Sequence, residues 1–299
     1  SSPSNSSGST IEKSCLVADS VADALARAGS VFSAGALWAW CQQAGRLMRV
    51  EKVALYQQRN QIMLTEEQRQ FFDENGYLRY GRVLTLAEVE ELRSALDHVI
   101  AVEAAGGDDS AVEFKFGHRR GTPQGEERPR VITQFVNMWK REPTYQRLLH
   151  HPVIAGVACG LLRTPRVRLW HDQVISKPPG DNGHFHFHQD FYLWPLREPQ
   201  IVSCWLALDD VDADNGCMHV VPGSHRDPRF GLDAYAAEMA ARAEAEAAGK
   251  TVAETPRQQM AHEPAAIGLP VKLAAGECMF HHCLNFHATP QNITDRQRR

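Results

Sequence analysis

The second half of this chain is cut into short, apolar, alternating segments by turn chemistry: Pro178-Pro179-Gly180, Asp181-Asn182-Gly183, Asp214-Asn215-Gly216, Pro222-Gly223 and Ala275-Gly276. Proline presets one backbone torsion and glycine admits the left-handed region, so each cluster marks the end of an extended segment. Short strands at this spacing suit a jelly roll, two facing sheets with a cavity between them. The first half has a different rhythm. Thr65-x-x-Gln68 and Thr85-x-x-Glu88 are capping boxes, each placing a side-chain acceptor on free helix N–H groups and returning a bond from the fourth residue. The second box predicts a helix with Leu86, Val89, Leu92, Leu96 and Val99 on one apolar stripe. Gly76 and Gly106-Gly107 are natural stops, and Pro152 suits the first turn of a further helix running to Leu162. The chain thus reads as mainly β with packed N-terminal helices, an α+β domain.

The β-rich half carries His188-Gln189-Asp190, then His287, then Arg298 eleven residues later. A strand repeats every two residues, so His188 and Asp190 are expected on one face, able to grip one metal ion together. With His287 they would form two imidazoles and one carboxylate on a single octahedral face. That set leaves three positions open, the pattern of non-haem Fe(II) sites where substrate and oxygen bind. Arg298 offers a planar cationic fork, matched to a carboxylate-bearing co-substrate.

Several further segments accompany these residues: Lys177-Pro178-Pro179-Gly180, Cys204-Trp205-Leu206-Ala207-Leu208, Asn215-Gly216-Cys217, Pro222-Gly223-Ser224-His225 and the stretch from His287 to Asn292. In this order, over roughly residues 64 to 299, the chain resembles the phytanoyl-CoA dioxygenase (PhyH) family of Fe(II)/2-oxoglutarate oxygenases. The resemblance implies a double-stranded β-helix, the jelly-roll or cupin-like fold. It also implies His188, Asp190 and His287 as iron ligands and catalytic centre, with Arg298 binding the far carboxylate of 2-oxoglutarate and Thr289 assisting. Trp205 and Gln189 match positions lining the co-substrate pocket. The implied cofactor is Fe(II), the co-substrates are 2-oxoglutarate and O2, and the products are succinate, carbon dioxide and a hydroxylated small molecule. Halogenating relatives replace the carboxylate ligand with a small residue, whereas Asp190 is present here, so the resemblance implies hydroxylation. Fold and metal site do not name the substrate.

Plainer readings stand beside these. Among fourteen histidines, His184, His186 and His188 alternate along one segment, and any two could pair on a metal. Only His188 has a carboxylate at plus two, which leaves His184 and His186 as pocket or rim residues. His281 and His282 precede the distal site, but only His287 is followed by the threonine, asparagine and arginine pattern. His171-Asp172 is a decoy, because adjacent strand residues point to opposite faces. Trp205 fits a buried core aromatic as well as a co-substrate contact, and Gln189 faces away from the ligand side of an ideal strand. Phe191, Tyr192 and Trp194 follow the metal segment and suit either substrate contact or core packing.

Composition limits the other classes. A 43% hydrophobic content over 299 residues can bury a sizeable core, and the net charge of −4 gives no nucleic-acid footprint. Arg119-Arg120 and Arg128-Arg130 are local basic clusters, read as solvated loop charges. Seven cysteines without a CxxC pair indicate reduced thiols in a cytoplasmic setting, not a disulfide frame. The apolar run Val31 to Cys41 is too short to span a membrane. The PhyH resemblance begins at Leu64 with Met63 directly before it, so residues 1–62 are expected to be an N-terminal extension, disordered or non-native, and residues 63–299 the dioxygenase domain. The family continues beyond the arginine into another strand, so a truncated C-terminus is expected, with Arg298 on a frayed end.

The insert from Leu232 to Gln259 has high helix propensity but weak apolar periodicity over Asp233 to Lys250, fitting an exposed helix between two strands or a lid over the iron. Two rival functions share the ligand set. One is a zinc-type hydrolase or isomerase, in which Arg298 and Thr289 would have no purpose; the other is a catalytically silent binding module. The sequence is silent on oligomeric state.

Overall fold

The structure, a computed structural model, describes residues 64–104, 132–181 and 183–299. Residues 1–62, Gly106-Gly107 and the clusters Arg119-Arg120 and Arg128-Arg130 lie outside the described residues. The two capping boxes start the first of the described helices as expected. Thr65 and Gln68 exchange hydrogen bonds ahead of α1 (Glu66–Asn75), which Gly76 closes at φ 75°. Thr85 and Glu88 do the same ahead of α2 (Leu86–Ala104). Val89, Leu92, Leu96 and Val99 are buried on α2, but Leu86 is 66% exposed. It is the first helical residue, where the stripe has not yet turned beneath the sheet. Two short helices follow, α3 (Pro143–Leu148) and α4 (Pro152–Leu161), the latter with Pro152 in its first turn.

Among the described residues, nine strands form three antiparallel sheets. A three-stranded sheet has the order β1 (Tyr77–Arg82), β8 (Glu277–His282), β5 (Val202–Leu206). A four-stranded sheet has the order β4 (Phe185–His188), β9 (His287–Thr289), β6 (Met218–Val220), β7 (Leu269–Val271). The third pairs β2 (Thr133–Val136) with β3 (Gln173–Ser176). The two-residue strand period divides the three-stranded sheet between two cores. Tyr77, Trp205 and Met279 pack against Met218, Val220 and Val271 of the four-stranded sheet. On the opposite face, Leu78, Cys278 and Phe280 pack against Phe72 of α1 and Val157 and Leu161 of α4. The three-stranded sheet is thus covered by helices on one side and by the second sheet on the other.

Two expectations are corrected in the β half. Strand β4 ends at His188, and Asp190 opens a 3₁₀ turn over Asp190–Leu193, so ideal strand alternation does not bring the pair together. The β4–β9 register is also irregular between Phe185 and His188. Arg298 is not on a frayed end: it is 1% exposed, and its backbone exchanges hydrogen bonds of 2.8 and 3.0 Å with Lys177. The insert forms α5 (Leu232–Ala247) and then α6 (Pro256–His262), the second opened by a Thr255–Gln258 capping box. Glu238 is the one residue of α5 that is buried, its carboxylate taken by Arg257 and the Thr255 hydroxyl. The helix is therefore largely exposed and is tied down by this ion pair.

Lys177 joins the ends of the site-bearing segments. Its side chain is fully buried, and its Nζ donates to the carbonyls of Gly183 at 3.2 Å, Thr289 at 3.3 Å and Pro290. Asn292, also fully buried, donates from Nδ2 to the carbonyls of Lys177, Pro178 and Arg296. Buried carbonyls left without donors cost about 1–3 kcal/mol each, so these two side chains fix the path from β9 to Arg298.

Two outcomes follow from this packing. Lys177→Met keeps the volume but strips three carbonyls of their donor, and denaturant unfolding is expected to show a loss of about 3 kcal/mol; a loss under about 0.5 kcal/mol would contradict the strut. At Gly276, φ is 84° and a Cβ would lie 2.6 Å from the Leu84 carbonyl, whereas at Gly249, φ 64°, a Cβ meets nothing within 4 Å. Gly276→Ala is therefore expected to destabilise by well over the roughly 1 kcal/mol of Gly249→Ala, and equal melting temperatures for the two variants would refute the clash.

Candidate metal centre

His188 and His287 are Cα partners across β4 and β9, which places their imidazoles side by side with ring centroids 4.2 Å apart. Asp190 turns back toward both from the start of the 3₁₀ turn. Its Oδ1 lies 3.5 Å from His188 Nε2 and 3.6 Å from His287 Nε2. Among the described residues these three alone form a group of candidate metal donors, each within 4.8 Å of the others. Neighbouring ligands about 2.1 Å from one ion stand about 3 Å apart, so the spacing fits a shared ion.

The local chain sets which nitrogen faces inward. His188 Nδ1 lies 2.8 Å from the His186 carbonyl and His287 Nδ1 3.0 Å from the Asn285 carbonyl. A carbonyl can only accept, so Nδ1 carries the proton in both rings and Nε2 presents its lone pair to the centre. Asn285 is itself held, its Nδ2 donating to the carbonyls of Asn75 and Val221 and to Ser224 Oγ. Burial would raise the Asp190 carboxyl, but His287 and His188 outweigh it and hold the group well below the usual carboxylate range. Ser203 Oγ adds a bond to Asp190 Oδ2 at 3.3 Å. Burial and the neighbouring His188 push His287 down to about 3. For His188 burial lowers the proton affinity, and the bond and charge of Asp190 more than reverse it. The centre therefore sets an ionised carboxylate between two imidazole nitrogens, a donor set that suits a divalent cation.

Strand alternation on β9 puts Thr289 on the face of His287. Its Oγ1 is buried and has no hydrogen-bond partner among the described residues. The same holds for Nε of Arg298, whose Nη2 donates to the Gly216 carbonyl at 3.0 Å while its guanidinium lies 4.9 Å from the Trp205 ring centroid. Strand β5 links the two groups: Ser203 reaches Asp190 and Trp205, two residues on, lies against Arg298. A buried hydroxyl and a buried guanidinium N–H left unmatched beside a metal-donor cluster suit an oxygen-rich anion.

The remaining candidates separate. Gln189 is buried, and its Nε2 donates to the carbonyls of Leu284 at 2.6 Å and Phe230 at 3.3 Å, which commits the amide to bracing the turn. Phe191 packs with Cys283 and Leu284. Tyr192 stacks on Tyr235 of α5 at 4.1 Å and donates from its hydroxyl to the Phe230 carbonyl, so it docks the insert. Trp194 is half-buried and meets the edge of His171 at 5.5 Å. Asp172 turns the other way and accepts from the backbone N–H of Trp139. His184 and His186 are exposed and stand outside the donor group. Sequence reasoning missed Ser203 and Asn285, and it set aside the buried His281, whose ring lies 4.4 Å from His287. The alternation of Ser203 with Trp205 on β5 was the signal available for the first.

The five described cysteines are unpaired thiols, and no helix among the described residues is long and apolar enough to cross a membrane. Comparison with known proteins gives a consistent result. The chain is 26% identical over 171 residues to the peroxisomal phytanoyl-CoA dioxygenase of Rattus norvegicus, covering 56% of this chain and 49% of that protein. It spans about half the length of the curated relatives it matches first. Its fold is shared with SnoK, a non-haem α-ketoglutarate-dependent carbocyclase from nogalamycin biosynthesis, at 25% identity and TM-score 0.55 over 79% of this chain and 81% of that one. EctD from S. alaskensis, crystallised with 2-oxoglutarate and 5-hydroxyectoine, is 21% identical with TM-score 0.56, covering 80% and 74%. The family model for phytanoyl-CoA dioxygenase matches residues 72–299, the span that contains every residue of the donor cluster together with Thr289 and Arg298, and the chain belongs to that family.

Proposed function

We propose that this protein is a 2-oxoglutarate-dependent non-haem iron dioxygenase that hydroxylates an unactivated C–H bond of a small molecule, releasing succinate and carbon dioxide. The observation that carries this reading is the conjunction of the His188, Asp190 and His287 donor cluster with two unmatched buried donors, Thr289 Oγ1 and Arg298 Nε. A zinc-type hydrolase would use the first and leave the second unexplained. The packing of the three- and four-stranded sheets supports reading them as the two halves of a double-stranded β-helix.

Iron(II) held by His188, Asp190 and His287 would supply the redox chemistry that couples decarboxylation of 2-oxoglutarate to insertion of one oxygen atom into a C–H bond. The overall exchange balances: 2-oxoglutarate, O2 and R–H give succinate, CO2 and R–OH. Arg298 would hold the far carboxylate through Nε, with Thr289 Oγ1 donating to the same group, and Trp205 would confine the guanidinium against the sheet. Ser203 keeps Asp190 aimed at the centre. Gln189 braces the ligand-bearing turn, and Phe191 and Tyr192 shape the wall by packing. Trp194, half-buried beside His171, is the remaining substrate-contact candidate of that segment. Five reduced thiols support a cytoplasmic setting.

Anaerobic addition of Fe(II) and 2-oxoglutarate is expected to produce a visible metal-to-ligand charge-transfer band that His188→Ala and Asp190→Ala abolish. Arg298→Ala should keep iron binding yet weaken 2-oxoglutarate by roughly 10- to 100-fold, the scale of losing hydrogen bonds to a charged group. A wild-type protein that binds iron without the band contradicts the co-substrate assignment, and an unchanged affinity in Arg298→Ala moves the carboxylate elsewhere.

A further inference from the structure

The segment before the iron-site ligand carries a second pair of imidazoles, His184 and His186, and both residues are exposed. Their Nε2 atoms lie 3.2 Å apart, and the rings meet edge to face with centroids 4.4 Å apart. Two imidazole nitrogens each 2.0–2.1 Å from one zinc-like ion stand about 3.0–3.4 Å apart at octahedral to tetrahedral angles. The observed spacing falls inside that range. Neither residue belongs to the donor cluster of His188, Asp190 and His287, so the pair is separate from the site already assigned.

We propose that His184 and His186 form a second, solvent-facing binding site for a borderline divalent transition-metal ion of the Zn²⁺, Ni²⁺ or Cu²⁺ class. Imidazole donors select these ions over Mg²⁺ or Ca²⁺, which require oxygen ligands. Water completes the coordination from the open side. Helix α6 packs against β4 and ends at His262, whose Nε2 lies 3.1 Å from Glu254 Oε1. His262 is near enough to bear electrostatically on His186. The site adjoins the iron centre through the backbone: the His186 carbonyl that accepts from His188 Nδ1 belongs to one of the two ligands. An ion on the pair would therefore hold the residue that orients an iron ligand.

The test is Zn²⁺ stoichiometry and affinity on the metal-free full chain, read by competition with a chromophoric chelator, for wild type, His184→Gln/His186→Gln and His188→Ala/Asp190→Ala. Wild type is expected to bind two equivalents. The pair variant should bind one, with the equivalent that His188→Ala/Asp190→Ala removes still present. Because the two variants remove different equivalents, failure of the iron-site assignment and failure of this one are read separately. Two equivalents retained by the pair variant, or a single equivalent in wild type that only the iron-site variant removes, would overturn the proposal; in that case the 3.2 Å contact is an imidazole hydrogen bond alone.

Discussion

The cross-strand pairing of His188 with His287 is the constraint on which the site depends. Their strands are short, β4 of four residues and β9 of three, so little ladder energy fixes the register. Side chains and neighbouring strands set it instead. Strand β9 is held on its other edge by β6, where Val220 opposes His287, and Phe187, Phe286 and Ala288 pack together beneath the pair. A slip of one residue would turn each imidazole to the opposite face, because the side-chain period is two. The apolar residues that alternate with the ligands make that slip costly: it would expose Phe187 and Ala288, both almost fully buried, while burying imidazoles in the apolar layer.

Around this pairing, long polar side chains take the place of regular ladder bonds. Lys177, Asn285, Asn292 and Gln189 are all buried, and each donates to main-chain carbonyls in loops outside the strands. Such loops are needed because a cavity-forming sheet sandwich must change direction often, and each turn leaves carbonyls that only a side-chain donor or water can satisfy. The candidate metal centre is thus braced by side-chain to main-chain bonds around residues 177–181, 284–286 and 290–298.

The sequence showed the donor set because a histidine and a carboxylate two residues apart, followed by a lone histidine and an arginine at fixed spacing, are legible without coordinates. It also showed the helix starts, since a capping box is a purely local code. It misled on how the donors meet. Ideal alternation placed Asp190 on the strand, whereas the strand stops at His188 and a 3₁₀ turn swings the carboxylate back. Gln189 and Tyr192 could not be sorted from sequence, because the partners that claim them, Leu284, Phe230 and Tyr235, are distant in the chain. From sequence Arg298 reads as a co-substrate contact on a frayed end; its burial follows from pairing with Lys177 across more than a hundred residues, which no local pattern reports.

On the proposed function, one ion and one 2-oxo diacid share a preorganised site built from β4, β9 and the segment around Arg298. A crystal structure of the full chain grown without oxygen in Mn²⁺ and 2-oxoglutarate measures this directly. The expected result is an anomalous peak bounded by Nε2 of His188, Nε2 of His287 and the Asp190 carboxylate, with the far carboxylate of 2-oxoglutarate on Arg298 Nε and Thr289 Oγ1. Metal absent from those three donors, or a diacid bound with its far carboxylate away from Arg298, would contradict it.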